Sequence, residues 1–281
     1  MSATASEMKN NLEVCCLQQS IVWGNKTQNY ERVERLLSES RCETTDVVIV
    51  PEVFTTGFGD ALAAQAEEPE GATLDFARRM AARFDTLFVG SWCVRCGDAV
   101  YNRMHLVMPD GNYHTYDKAH TFRMSSEAEQ VRRGTERNVV EWRGWRLRPA
   151  VCYDLRFPIW LRNRLRDASD GGAAGEADEP ATRLDYDLLV VNANWPRSRR
   201  EAWSTLLRAR AIENQCYVAG ANCVGTGDNE VCYTGDSAIV NYTGSVLAQA
   251  EEGCEQVLRA SLPFEKLLSF RRRWPFYLDF D

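Results

Sequence analysis

Short, near-continuous apolar runs alternate with longer amphipathic stretches along almost the whole chain, and this alternation limits the fold more than any single motif. Leu12–Gln18, Asp46–Val50 and Tyr186–Val191 read as strands, and Asp46–Val50 is apolar enough to be buried on both faces. Between them lie helical patterns. Over 26–38 the residues Tyr30, Val33, Leu36 and Leu37 recur at helical spacing. Over 72–84 Leu74, Ala77, Met80, Ala81 and Phe84 share one side. The pattern predicts strands at 86–94 and 100–108, with a turn at Asp110-Gly111 leading to a strand at 112–116. Further strands are expected at 142–145, 146–152, 216–221 and 257–261, with a hairpin of 238–242 and 245–250 around Thr243-Gly244. Helices are expected at 159–166, 199–214 and 264–270. No Pro/Gly-rich linker divides the series, so the reading is one α/β domain with helices outside stacked sheets, over 10–262, followed by a C-terminal helix and tail at 263–281. An open dinucleotide-binding sheet has similar periodicity, but no G-x-G-x-x-G follows the first strand. Residues 167–181 are rich in Gly, Ala, Asp and Glu and lack large apolar side chains, which predicts a flexible surface insertion.

Composition removes several classes of function. A net charge of −7 argues against a general nucleic-acid binder, which would carry a basic face. No apolar run approaches the roughly 20 residues of a membrane-spanning helix, and Met1 to Asn10 is polar, so the cytosol is the expected address and the ten cysteines are expected to be reduced. Cys15-Cys16 fall in an apolar run and read as core. Cys93-Val94-Arg95-Cys96 has the spacing of half a zinc site. No second pair exists, and His105, His114 and His120 do not complete one, so no metal is expected.

Three segments place reactive groups where predicted strands end. Val47-Val48-Ile49-Val50-Pro51-Glu52 closes a buried run on a carboxylate. Tyr116-Asp117-Lys118-Ala119-His120 puts an ammonium just past another strand. Pro149-Ala150-Val151-Cys152-Tyr153-Asp154-Leu155-Arg156-Phe157-Pro158 carries a thiol to the tip of a third, at a bend where Pro158 can enter the first turn of a helix. Singly these are an ordinary loop carboxylate, a solvated cation and a core cysteine. Jointly they are a base, a cation and a nucleophile.

Pro51–Phe58, Tyr116–Phe122 and Cys152–Pro158, in that order, resemble the three signatures of the nitrilase (carbon–nitrogen hydrolase) superfamily. Gln18 to Trp23 with Asn29, Asn194-Trp195-Pro196 and Ala209–Gln215 resemble its omega-amidase-like branch, so the likeness runs from about residue 12 to about residue 260. The resemblance implies an α-β-β-α sandwich, often dimerised through its helical faces, for which the aromatic tail Trp274–Phe280 would suit an exchanged arm or would dock on its own subunit. It also implies a second glutamate seven residues before a glycine. Here that is Glu127 with Gly134, and Glu129 is the competitor. The surroundings depart from the family pattern: Ala128, Gln130 and Val131 stand where relatives have histidines and an aromatic, and Thr121 replaces a leucine.

Since a free thiol has a pKa of about 8.5, Cys152 needs help. Glu52 is the expected base, and Lys118 can lower the thiol pKa and bind an oxyanion with the backbone N–H of Tyr153. Glu127 would orient Lys118 and the substrate. Arg156 can clamp a substrate carboxylate or pair with Asp154, and Asn194 and Trp195 sit where ligands collect at sheet ends. The expected reaction is hydrolysis of a small ω-amide of a dicarboxylic 2-oxo acid through a cysteine thioester, with no cofactor. A nitrile or N-carbamoyl amine substrate on the same Glu-Lys-Cys site, a Cys152–His120 dyad, and a non-catalytic binding module are the alternatives. A homodimer or higher homo-oligomer is the expected assembly.

Overall fold

The computed structural model describes residues 9–40, 45–166, 180–227 and 230–280. Its first half runs β1 (Asn11–Gln18), α1 (Lys26–Glu39), β2 (Val47–Ile49), α2 (Ala72–Phe84), β3 (Leu87–Cys96), β4 (Ala99–Val107), β5 (Tyr113–Asp117), α3 (Glu127–Gln130), β6 (Val140–Trp142) and β7 (Trp145–Val151). Then follow α4 (Pro158–Leu161), β8 (Leu188–Ala193), α5 (Arg200–Asn214), β9 (Tyr217–Asn222), β10 (Val224–Thr226), β11 (Cys232–Thr234), β12 (Ala238–Val240), β13 (Val246–Gln249), β14 (Gln256–Pro263) and α6 (Phe264–Arg273).

Among the described residues these strands form two six-stranded sheets and a small hairpin. One sheet has the order β14-β1-β2-β3-β4-β5, the other β13-β12-β9-β8-β7-β6, and β10 pairs with β11 alone. Each large sheet is built around three parallel strands, β1-β2-β3 in one and β7-β8-β9 in the other, extended by antiparallel neighbours. Strand alternation sorts the side chains into layers. Val14, Cys16, Val47, Ile49, Leu147, Leu188 and Val190 point between the sheets. The intervening Cys15, Leu17, Val48 and Val50 point outward against Val33 and Leu37 of α1 and Leu74, Ala77 and Met80 of α2. On the other side Ala150, Leu189, Val191 and Val218 meet Trp203, Leu207 and Ala211 of α5. The result is helix, sheet, sheet, helix. Both central sheets are covered on two faces, which is why their strands read as unbroken apolar runs. Each fully buried Leu, Ile or Val adds about 1.5–3 kcal/mol over leaving it exposed.

The helix expected over 159–166 is one turn only, since α4 ends at Leu161. Asn163 is the reason. It is fully buried, its backbone N–H donates to Asn214 Oδ1 at 2.9 Å, and its side chain donates to the carbonyls of Tyr186 and Asn214. Those bonds to two other elements hold the chain extended. Most of the expected insertion lies outside the described residues. Its far end does not belong to it: Ala181 is buried with Leu184 and Tyr277. The tail docks on its own chain, with Tyr277 buried while Trp274, Phe276 and Leu278 remain exposed.

Candidate active site

The strand ends that carry the three signatures meet at one end of the sandwich. Glu52 follows β2, Lys118 follows β5 and Cys152 follows β7. Behind β2 the backbone turns sharply: Val53 has φ 44°, a left-handed conformation unfavourable for a β-branched residue, and its N–H donates to Ser91 Oγ at 3.2 Å. Asn29 of α1 ties this turn down, donating to the carbonyls of Val22 and Thr55, both at 2.7 Å. Cys152 is the second left-handed non-glycine at the site, with φ 45°. The bend lifts its thiol out of β7 into a 3-10 turn over Cys152–Arg156. Asp154 fixes that turn, accepting from the N–H of Val151 at 3.0 Å, the Tyr116 hydroxyl at 2.8 Å and the N–H of His120 at 2.9 Å.

Lys118 is held by its backbone. Its N–H donates to Asn102 O at 3.0 Å and its carbonyl accepts from Gly134 N–H at 2.9 Å. A Cβ on Gly134 would lie 2.2 Å from the Asp117 carbonyl oxygen, so only glycine permits this approach. The Lys118 ammonium then reaches Glu52 Oε1 at 2.8 Å and both oxygens of Glu127 at 2.9 Å, and all three side chains are fully buried. Asn102 adds a bridge, donating to Glu52 Oε1 at 2.8 Å and Glu127 Oε1 at 3.1 Å. The remaining oxygens are satisfied too: Glu52 Oε2 accepts from Asn194 N–H at 3.0 Å, and Glu127 Oε2 from Phe122 N–H at 2.6 Å. Of the two glutamates before Gly134, Glu127 turns inward at the start of α3, whereas Glu129 is exposed.

The electrostatics follow from one cation shared by two buried acids. Burial opposes the Lys118 charge, but Glu127 and Glu52 outweigh it and hold the ammonium above its ordinary pKa. Burial, followed by the Glu52 charge, pushes the Glu127 carboxyl up against the pull of Lys118. Cys152 lies within electrostatic reach of Glu52, and its pKa stands well above that of a free thiol, through burial first and the Glu52 charge second, with Lys118 opposing. The resting sulfur is therefore a thiol with a carboxylate beside it.

Cys152 opens into a pocket of about 240 Å³ that Tyr153, Arg156, Asn194 and Trp195 also line. Arg156 does not pair with Asp154, whose oxygens are taken by other donors. Instead its guanidinium carbon lies 4.8 Å from the centre of the Trp195 ring. Trp195 is both wall and packing residue, with its ring 5.5 Å from that of Trp203. Asn194 borders the pocket but spends its donors on Glu52, giving its side-chain N–H to the Glu52 carbonyl at 2.6 Å. The cysteine–histidine pair does not form: His120 Nδ1 lies 2.8 Å from Asp154 Oδ1, and the ring stacks on Phe157 at 3.8 Å. Because β5 ends at Asp117, strand alternation does not carry on to turn His120 the same way as Lys118. Among the described residues no group of three or more His, Cys, Asp or Glu is arranged to hold a metal.

Sequence reasoning missed Asn102, Arg199 and Tyr233. Asn102 had a signal: with Val100 and Met104 it occupies the buried face of β4, where a polar residue demands partners. Arg199 and Tyr233 line the pocket from the start of α5 and from the β10–β11 hairpin, and nothing local marks either one.

A thiol at a strained strand end, against a buried acid–cation–acid cluster in an α-β-β-α sandwich, is a site equipped for hydrolysis of a carbon–nitrogen bond. A family model described as carbon–nitrogen hydrolase matches residues 13–272, and the chain belongs to that family. It is 43% identical to the omega-amidase YafV of Yersinia enterocolitica over 97% of this chain and 98% of that one. It is 32% identical to a 2-oxoglutaramate amidase of Bacillus subtilis, covering 95% and 96% of the two chains. The solved structure of a CN-hydrolase superfamily protein from Xanthomonas campestris, with an arsenic adduct in its active site, superposes with a TM-score of 0.89 at 40% identity, covering 97% of this chain and 98% of that one.

Proposed function

We propose that the protein hydrolyses a small ω-amide of a dicarboxylic 2-oxo acid, with 2-oxoglutaramate as the type, to the acid and ammonia through a thioester on Cys152. The observation that carries this reading is the Lys118 ammonium bonded to Glu52 at 2.8 Å and Glu127 at 2.9 Å, beside the Cys152 thiol, whose pKa the Glu52 charge helps to raise. The relatives named omega-amidase and 2-oxoglutaramate amidase support the substrate class.

Each role follows from position and charge. Since the thiol is held neutral, its proton passes to Glu52 as the sulfur attacks the amide carbon, with no preformed thiolate. The amide oxygen gains the negative charge and takes hydrogen bonds from the Lys118 ammonium and the Tyr153 N–H, at the start of a helical turn where such donors are free. Glu127 holds Lys118 in place. The Glu52 carboxyl then gives its proton to the leaving nitrogen, the C–N bond breaks, and ammonia departs from a thioester. Water enters and gives its proton to Glu52, its oxygen attacks the thioester carbon, and the C–S bond breaks as Glu52 returns that proton to the sulfur, restoring the thiol. Arg156 binds the free carboxylate at the far end, and Trp195 walls the chain between.

The test is ammonia release by the purified protein from 2-oxoglutaramate and 2-oxosuccinamate. Turnover of both, abolished in Cys152→Ala, is expected. No ammonia from either compound with folded protein would remove the reading. We further read the protein as a cytoplasmic homo-oligomer. Cys16, Cys93, Cys216 and Cys223 are buried thiols outside any disulfide, which accords with a reducing compartment. The apolar side chains of Ile212, Trp274, Phe276 and Leu278, exposed on the single chain, would be covered in an assembly. Cell fractionation and analytical ultracentrifugation check the two statements.

A further inference from the structure

We propose that Arg199 determines specificity at the Cys152 pocket, acting with Arg156 to grip the free carboxylate of the substrate and to select 2-oxo over 2-amino acid amides. This rests on the amidase reading of that pocket. Both guanidiniums lie over aromatic rings: Arg156 is 4.8 Å from the centre of the Trp195 ring, and Arg199 is 5.0 Å from that of Phe122. The Trp195 indole N–H donates to the Arg199 carbonyl at 2.8 Å, so the residue that carries one arginine also fixes the backbone of the other. Among the described residues neither side chain forms an ion pair. Among the described residues the lining of the pocket contains no aspartate or glutamate, and these two arginines are its only charged side chains.

A guanidinium is always charged and presents planar donors that match a carboxylate. Here Arg156 is half-buried and Arg199 is exposed at the rim, each over an aromatic ring with no acid paired to it, at the cavity that Cys152 opens into. That is a receptor for an anion, and its planar donors suit a carboxylate. The same two charges repel an ammonium. An amide whose 2-position bears a positive amino group, such as glutamine, brings that charge toward both guanidiniums with no lining acid to offset it. A 2-oxo group brings none.

The experiment compares the wild-type protein with Arg199→Gln and Arg199→Lys on three amides of one length: 2-oxoglutaramate, L-glutamine and the uncharged valeramide. For Arg199→Gln, kcat/KM on 2-oxoglutaramate is expected to fall about 10- to 100-fold, mainly through KM, as expected for one charge-assisted hydrogen-bond donor lost. The fall should be at least about tenfold greater than on valeramide, and the preference for 2-oxoglutaramate over glutamine should narrow; Arg199→Lys should recover part of both. Equal losses on the charged and uncharged amides, or no loss on 2-oxoglutaramate, would overturn the proposal. Calorimetric binding of glutarate to the same proteins separates this proposal from the amidase reading. Weaker binding in Arg199→Gln supports the anion receptor even if no amide is turned over, and unchanged binding contradicts it.

Discussion

Two buried ion clusters in this molecule are near mirror images. At Lys118 one cation is shared by two acids, Glu52 and Glu127. At Asp187 one acid is shared by two cations, Arg146 at 3.1 Å and Arg271 at 2.8 Å. In both, the central residue is fully buried, and the charges do not balance. What differs is closure. Arg271 reaches back from α6 to the carbonyls of Gln215 and Tyr186 as well as to Asp187, locking the C-terminal helix onto the second sheet, and every donor points at protein. Burial raises the Asp187 pKa, but Arg146 and Arg271 more than reverse it and hold the carboxyl below its usual range. At Lys118 the surplus acid stands beside a thiol at the floor of a cavity, and one of the two carboxyls is pushed upward. An excess of countercharge makes a fastener, whereas the excess of acid next to the thiol is what the proposed mechanism uses as its base.

That contrast can be broken by substitutions on either side. Glu52→Gln keeps the hydrogen-bonded shape and removes the proton acceptor. It should cost at least about 10⁴-fold in kcat/KM, as loss of a central member of a catalytic set does, with an unchanged melting transition. A variant with near-normal turnover would show that Glu52 is only structural. Arg271→Ala should do the reverse. It strips a buried ion cluster of one partner and should lower stability by about 3–5 kcal/mol in denaturant titration, while kcat/KM per active site stays at the wild-type value. Glu127→Gln should reduce kcat/KM about 100-fold by releasing Lys118 yet leave thermal stability unchanged or raised. The sign follows from the raised Glu127 pKa: its stabilising contribution is present at low pH and lost as pH rises through the folded-state value, so at neutrality the neutral glutamine removes a cost. A drop in melting temperature like that of Arg271→Ala would erase the distinction between the clusters. The smallest effect is in the pH profile. Burial holds the Glu127 carboxyl above the usual glutamate range, and a protonated Glu127 no longer holds Lys118 by charge, so an acid limb of kcat/KM set by Glu127 should be present in wild type and absent in Glu127→Gln. With the pKa of Lys118 raised above its ordinary value, no alkaline loss is expected below pH of about 10.

Much of this was legible beforehand, for a physical reason. Strands covered on both faces leave unbroken apolar runs, and a polar group just past such a run stands where sheets end and ligands collect. That is why Glu52, Lys118 and Cys152 could be singled out and why α2 was delimited from its apolar stripe alone. The resemblance to a known family added Glu127, whose place depends on Gly134 passing close to Asp117. What stayed hidden depends on contacts between distant segments. Asn163 breaks a helical pattern that is locally sound. His120 looked two strand positions from Lys118, but the strand stops short of it. Arg199 and Tyr233 reach the pocket only because α5 and a late hairpin fold over it.

The central claim is that the sulfur of Cys152 takes the acyl group. Intact-mass and peptide mapping of the protein, acid-quenched during turnover of 2-oxoglutaramate, tests it most directly. The account predicts a mass increase equal to the substrate less ammonia, located on the peptide containing Cys152 and absent in Glu52→Gln. Full turnover with no such adduct, or an adduct on a different cysteine, would contradict it.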